Sequence, residues 1–164
     1  MTDFFVSKLG PKPRAAAKNP LAWSSLISEA PAVEGWSVPE AFVAVLLAAV
    51  TCDGEIAGVE HEEILALAHR SRALKTLSVA QLSELNLTAM ARLREEPDAL
   101  ADACAALPAE MRASVFAHAL DLVLADGELT IEEADFLNTL IINLKLDREI
   151  VAKVSDVIVL KNQY

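Results

Sequence analysis

One segment of this chain occurs twice, and the repeat limits what the chain can fold into. Residues 42–69 read FVAVLLAAVTCDGEIAGVEHEEILALAH, and residues 115–142 read VFAHALDLVLADGELTIEEADFLNTLII. The two copies align without a gap at an offset of 73 residues. Asp53, Gly54 and Glu55 fall on Asp126, Gly127 and Glu128, and Ile56 falls on Leu129. Glu60 falls on Glu133, Ile64 on Leu137 and Leu67 on Leu140. Each copy has the pattern of an apolar helix, an Asp-Gly turn and a second helix with a Glu near its start. Two such units can pack about a pseudo-two-fold axis and bring their Asp/Glu pairs together. The expected fold is all-α, a bundle of seven or eight helices containing two pseudo-symmetric helix–Asp-Gly turn–helix repeats.

Helix start signals recur along the rest of the chain. Ser37-Val-Pro-Glu40 offers an N-cap Ser, a Pro in the first turn and a Glu placed to close a capping box. The helix it opens should run to about Cys52, where Gly54 can adopt the left-handed conformation that ends it. A second helix is expected over about residues 58–71. Ser78-Val-Ala-Gln81 caps a helix to about Glu95, Pro97 begins a short one through Ala106, and Pro108 begins one ending near Asp126. Thr130-Ile-Glu-Glu133 is a further capping box for a helix to about Leu144, and Asp147 caps the last, to about Lys161. Residues 21–27 could add a short helix. Phe42, Val45, Leu46 and Ala49 should pack on their counterparts Val115, Ala119 and Leu122.

Residues 1–20 hold Pro11, Pro13 and Pro20, together with Lys8, Lys12, Arg14 and Lys18 against the single acid Asp3. They are expected to form a flexible basic arm ahead of one domain over residues 21–164. Phe4, Phe5, Val6 and Leu9 give the arm an apolar side that could touch a membrane surface or a partner. The whole chain carries a formal charge of −10, so the remainder is still more acidic. Such a surface repels phosphate backbones and argues against nucleic acid as a partner. The uncharged run from Ala41 to Cys52 is too short to span a bilayer. No secretory leader is evident in the first residues. The two cysteines, Cys52 and Cys104, make no disulfide framework and suit a reducing cytoplasm.

The repeated acids have a purely structural explanation. Gly54 and Gly127 would be helix C-caps, Glu133 the capping partner of Thr130, and Ile56 and Leu129 buried plugs in the turns. Three points favour cation binding over that explanation. Asp53 and Asp126 stand at helix C-termini, where the helix dipole disfavours negative charge by about 0.3–1 kcal/mol. In the first copy the N-cap position is Ala57, which cannot cap, yet Glu60 is still present. Each Asp also follows a nearly all-apolar helix, so carboxylates converging there would repel unless protonated or bridged by a cation. The candidate metal ligands are therefore Asp53, Glu60, Asp126 and Glu133, around a divalent ion of unspecified identity. An EF-hand is excluded, because its first two ligand positions would hold Ala49 and Thr51, or Leu122 and Leu124.

Other chemistry finds little support. His61 and His69 belong to one expected helix, and His61 is better read as a surface residue than as an auxiliary ligand. His118 and Asp121, three residues apart, suggest a satisfied polar contact. The sequence contains no HExxH, CxxC, GxSxG or glycine-rich phosphate loop.

At its repeated motif the chain resembles the TerB-like family. That family comprises the tellurite-resistance TerB proteins and the related N-terminal domain of membrane-anchored DnaJ-like co-chaperones. Its pattern is an apolar helix ending Ala-Asp-Gly, a hydrophobe, often Ser or Thr, then Glu and a hydrophobe four residues later. Leu124-Ala-Asp-Gly-Glu-Leu-Thr-Ile-Glu-Glu133 to Leu137 fits throughout, whereas the first copy departs at Ala57 and Gly58. The resemblance covers about residues 37–162. It implies an all-α, non-enzymatic protein of stress-response complexes whose acidic residues chelate a metal. Carried over by position, those residues are again Asp53, Glu60, Asp126 and Glu133.

The leading reading is a cytoplasmic accessory protein of a tellurite or metal stress response. It would bind a divalent cation and other stress-response proteins, as a monomer or homodimer. The alternative is a structural helical interaction module without metal, and a metal-dependent hydrolase is a weaker third. The leading reading requires the two Asp-Gly turns to lie side by side.

Overall fold

A computed structural model describes residues 35–52, 66, 71, 74–125 and 129–163. Every element among them is an α-helix: α1 (Val38–Val50), α2 (Val79–Glu95), α3 (Ala99–Ala106), α4 (Ala109–Val123), α5 (Ile131–Asn143) and α6 (Arg148–Lys161). The helices anticipated over residues 21–27 and 58–71 fall outside the described residues, apart from Ala66 and Ser71.

Helix α1 is the centre of the bundle. After Glu40 it carries no charged side chain, and ten of its thirteen residues are buried. A helix apolar all round needs neighbours all round. It finds them in α2, α3 and α4, while α6 lies on α4 and α5 lies against α3 and α4. Alanines make the close approach possible. Ala41 and Ala44 of α1, Ala89 of α2, Ala103 of α3 and Ala119 of α4 are fully buried at the seams. The expected pairing of the repeats is present, with Phe42, Val45, Leu46 and Ala49 buried alongside Val115 and Ala119. Leu122 is only half-buried, and Leu120 takes its place in the core.

Most helix starts follow the sequence signals. Ser78 and Gln81 close a capping box at 2.9 and 3.2 Å. The box expected at Ser37 is only half made. Ser37 Oγ accepts the Glu40 amide at 3.3 Å, but the Glu40 carboxylate turns to Arg92, 3.4 Å away. Asp147 holds the N-cap position of α6 without a side-chain cap bond. Helix α3 starts at Ala99, two residues after Pro97, and α4 stops at Val123, short of Asp126.

Helix α5 ends in a Schellman turn. The Leu146 amide donates to Ile141 O at 3.2 Å and the Lys145 amide to Ile142 O at 3.0 Å. Lys145 occupies the left-handed position with φ 53°. Arg112 on α4 serves two helix ends together. Its Nε donates to Leu107 O, past the end of α3, at 3.0 Å, and its Nη1 lies 3.4 Å from Leu144 O at the end of α5. A guanidinium at carbonyl-rich C-termini also offsets the helix dipoles.

Candidate cation site at the Asp-Gly turns

Of the four carboxylates singled out by the repeat, Glu133 is among the described residues; Asp53, Glu60 and Asp126 lie outside them. The distance between the two Asp-Gly turns therefore also lies outside the described residues.

The chain approaches each turn through a closed helix end. At the end of α1, Leu47 O accepts both the Thr51 amide at 3.0 Å and Thr51 Oγ1 at 2.9 Å. Cys52 Sγ donates to Ala49 O at 3.0 Å. At the end of α4 the Leu124 amide reaches Leu120 O at 3.0 Å, and the Ala125 amide reaches Leu122 O at 3.2 Å. Local donors thus occupy Leu47 O and Ala49 O ahead of the first turn, and Leu120 O and Leu122 O ahead of the second.

Glu133 is tied into the start of α5. Its Oε2 accepts from the Thr130 amide at 2.7 Å and from Thr130 Oγ1 at 3.0 Å. The Glu133 amide donates back to Thr130 Oγ1 at 3.2 Å, completing the capping box. The residue is buried in spite of its charge. Two donors on one oxygen fix the carboxylate plane and leave Oε1 outside the cap. A pinned carboxylate oxygen is the kind of donor a hard dication takes. Helix capping also accounts for the same geometry without any ligand. Leu129, expected as a buried plug, is instead 52% exposed. It lies immediately before the Thr130 cap, while Leu137 and Leu140 of α5 are buried.

The polar residues of α4 are arranged differently from the expected pairing. His118 Nδ1 lies 2.7 Å from Ser114 O, and its ring meets Phe42 edge-on at 5.6 Å. Asp121 is joined instead to the end of α6, with Lys161 Nζ at 2.7 Å and Asn162 Nδ2 at 3.0 Å from Oδ1. Burial alone would raise the Asp121 carboxyl, but the Lys161 and Asn162 hydrogen bonds and the Lys161 charge hold it below its ordinary value. The Cys104 thiol is buried and pushed up to about 12 by loss of solvent, which the Arg112 charge only partly offsets. It is therefore a poor nucleophile.

Sequence reasoning missed a second polar cluster. The Arg92 guanidinium stacks 3.6 Å above the Trp36 ring, donates to Gly35 O, and lies 3.4 Å from Glu40 and 3.3 Å from Glu96. It joins α2 to the chain entering α1. Gly35 has φ 91°, and a Cβ there would come 3.2 Å from Arg92 Nη2. The available signal was the Gly-Trp pair directly before the Ser37 cap. Among the described residues no three His, Cys, Asp or Glu side chains cluster as a metal site requires, and no helix is long and apolar enough to cross a membrane.

Comparison with known proteins gives one match. The family described as Tellurite resistance protein TerB matches over residues 39–155, more than half of the chain. No curated protein and no solved structure matches.

Proposed function

The chain belongs to the TerB family, and from that membership we propose a non-enzymatic accessory protein of a tellurite or metal stress response. It works in the cytoplasm and binds a divalent cation through Asp53, Glu60, Asp126 and Glu133. The observation that carries this reading is the register of the repeat. The family match over residues 39–155 spans both copies, and in both the Asp and Glu recur at the same spacing. Selection for helix caps alone does not account for Glu60, because Ala57 stands where its capping partner would be. The donor set is all oxygen, which suits Ca²⁺, Mg²⁺ or Mn²⁺ better than softer ions. When bound, such an ion would neutralise carboxylates that otherwise repel one another. Titration calorimetry of the full chain with Ca²⁺, Mg²⁺, Mn²⁺ and Zn²⁺ tests the proposal. Saturable binding to at least one of the hard ions is expected, and no heat from any of them would refute it.

The second reading is a helical interaction module without metal. The Thr130–Glu133 capping box favours it, because it gives one of the four carboxylates a complete structural role.

A further inference from the structure

The two carboxylate oxygens of Glu133 are in different situations. The residue is 9% exposed. Its Oε2 accepts from the Thr130 amide at 2.7 Å and from Thr130 Oγ1 at 3.0 Å, so both lone pairs of that oxygen are engaged. Among the described residues, every hydrogen bond to this carboxylate falls on Oε2, and none of the ion pairs includes Glu133. A carboxylate this buried is ordinarily matched by a basic side chain or a metal ion. A capping box needs one carboxylate oxygen, so capping explains Oε2 and leaves Oε1 unexplained.

We infer that Thr130 is a positioning residue for the cation site: by holding Oε2 it presents Oε1 as a one-oxygen ligand to the divalent ion. This inference rests on the cation reading above and adds to it the mode in which Glu133 binds. Ligation through both oxygens would compete with the two Thr130 bonds for the lone pairs of Oε2. A ligand that the fold orients in advance needs less ordering when the ion binds. Outer partners that orient a metal ligand typically matter about tenfold or more in affinity. Of the two copies, only the second has this device, because Ala57 stands in the first where Thr130 stands in the second.

Titration calorimetry of the full chain with Mg²⁺, Mn²⁺ and Ca²⁺, well below the melting temperature of every variant, tests the inference. Thr130→Ala should weaken binding about tenfold. Thr130→Ser keeps the hydroxyl and should restore it. Ser78→Ala is the control. It opens the Ser78–Gln81 box at the start of α2 and lowers stability by the same mechanism, and it should leave affinity unchanged. If Thr130 were a helix cap and nothing more, both alanine variants would melt lower yet bind the ion as tightly as wild type. That result, or equal weakening by Ser78→Ala, would overturn the inference and leave the cation reading standing. No heat from wild type with any of the three ions would refute both.

Discussion

The guanidinium of Arg92 sits over the indole of Trp36, 3.6 Å from the ring centroid, while its Nη1 faces Glu40 at 3.4 Å. The pair locks α2 against the first turn of the central helix. Trp36 is 2% exposed, so the stack is shielded from solvent on the ring side. Arg92→Ala should destabilise the protein by about 2 kcal/mol, through the lost cation–π contact and the Glu40 carboxylate left without its partner. Arg92→Lys keeps the charge but not the planar stack or the two-pronged contact with Glu96, and should fall between. Urea unfolding of the three proteins measures this, and a loss below about 0.5 kcal/mol for the alanine variant would show the cluster to be ornamental.

Lys145 sits at φ 53° in the Schellman turn that ends α5. A side chain in the left-handed region is disfavoured by about 1–2 kcal/mol, offset in part by the greater freedom glycine has when unfolded. Lys145→Gly should therefore stabilise the protein by roughly 1 kcal/mol, read as a higher midpoint in thermal or urea unfolding. An unchanged or lower midpoint would mean that the lysine side chain contributes a contact of its own.

Asp121 ties α4 to the last turn of α6, a helix with no fully buried residue. Because its carboxyl is held below the ordinary value in the folded state, its contribution is present above about pH 4, the unfolded carboxylate value. That contribution is lost as pH falls through the lower folded value. At neutral pH Asp121→Asn should be less stable by up to about 1 kcal/mol, as befits a partly solvated pair. The gap should close in acid, and high salt should shrink it at neutral pH. A gap constant from pH 7 to pH 2 would contradict the assignment.

The sequence signals and the structure agree where the signal is local or the helix is uniformly apolar. Thr130–Glu133 and Ser78–Gln81 each close a box whose two partners are three residues apart, so both ends of the interaction are visible in the sequence. The burial of α1 followed from its lack of charge after Glu40. What was not legible involves partners far apart in the chain. Glu40 had a local role available at Ser37, and Arg92, 52 residues away, took it instead. Asp121 had His118 one turn away and bonded to Lys161, 40 residues on. Leu129 matched the hydrophobe of the repeat pattern, but it lies exposed, and the buried leucines of this segment are Leu137 and Leu140 of α5. Of the candidate site, the capping geometry of Glu133 was legible from its spacing to Thr130.

The central claim is that the repeated carboxylates bind a cation, and the thermal response of Asp53→Asn, Asp126→Asn tests it most directly. The substitution preserves size and turn propensity while removing two negative charges. A ligand that binds only the folded state raises its melting temperature by mass action. Wild type should melt higher with millimolar Ca²⁺, Mg²⁺ or Mn²⁺, and the double variant should show no shift. Without metal the variant should be at least as stable as wild type, because repulsion and the adverse helix-end charges are relieved. A wild-type melting temperature indifferent to all three ions, with a metal-free double variant less stable than wild type, would contradict the account and leave the acids as structural caps.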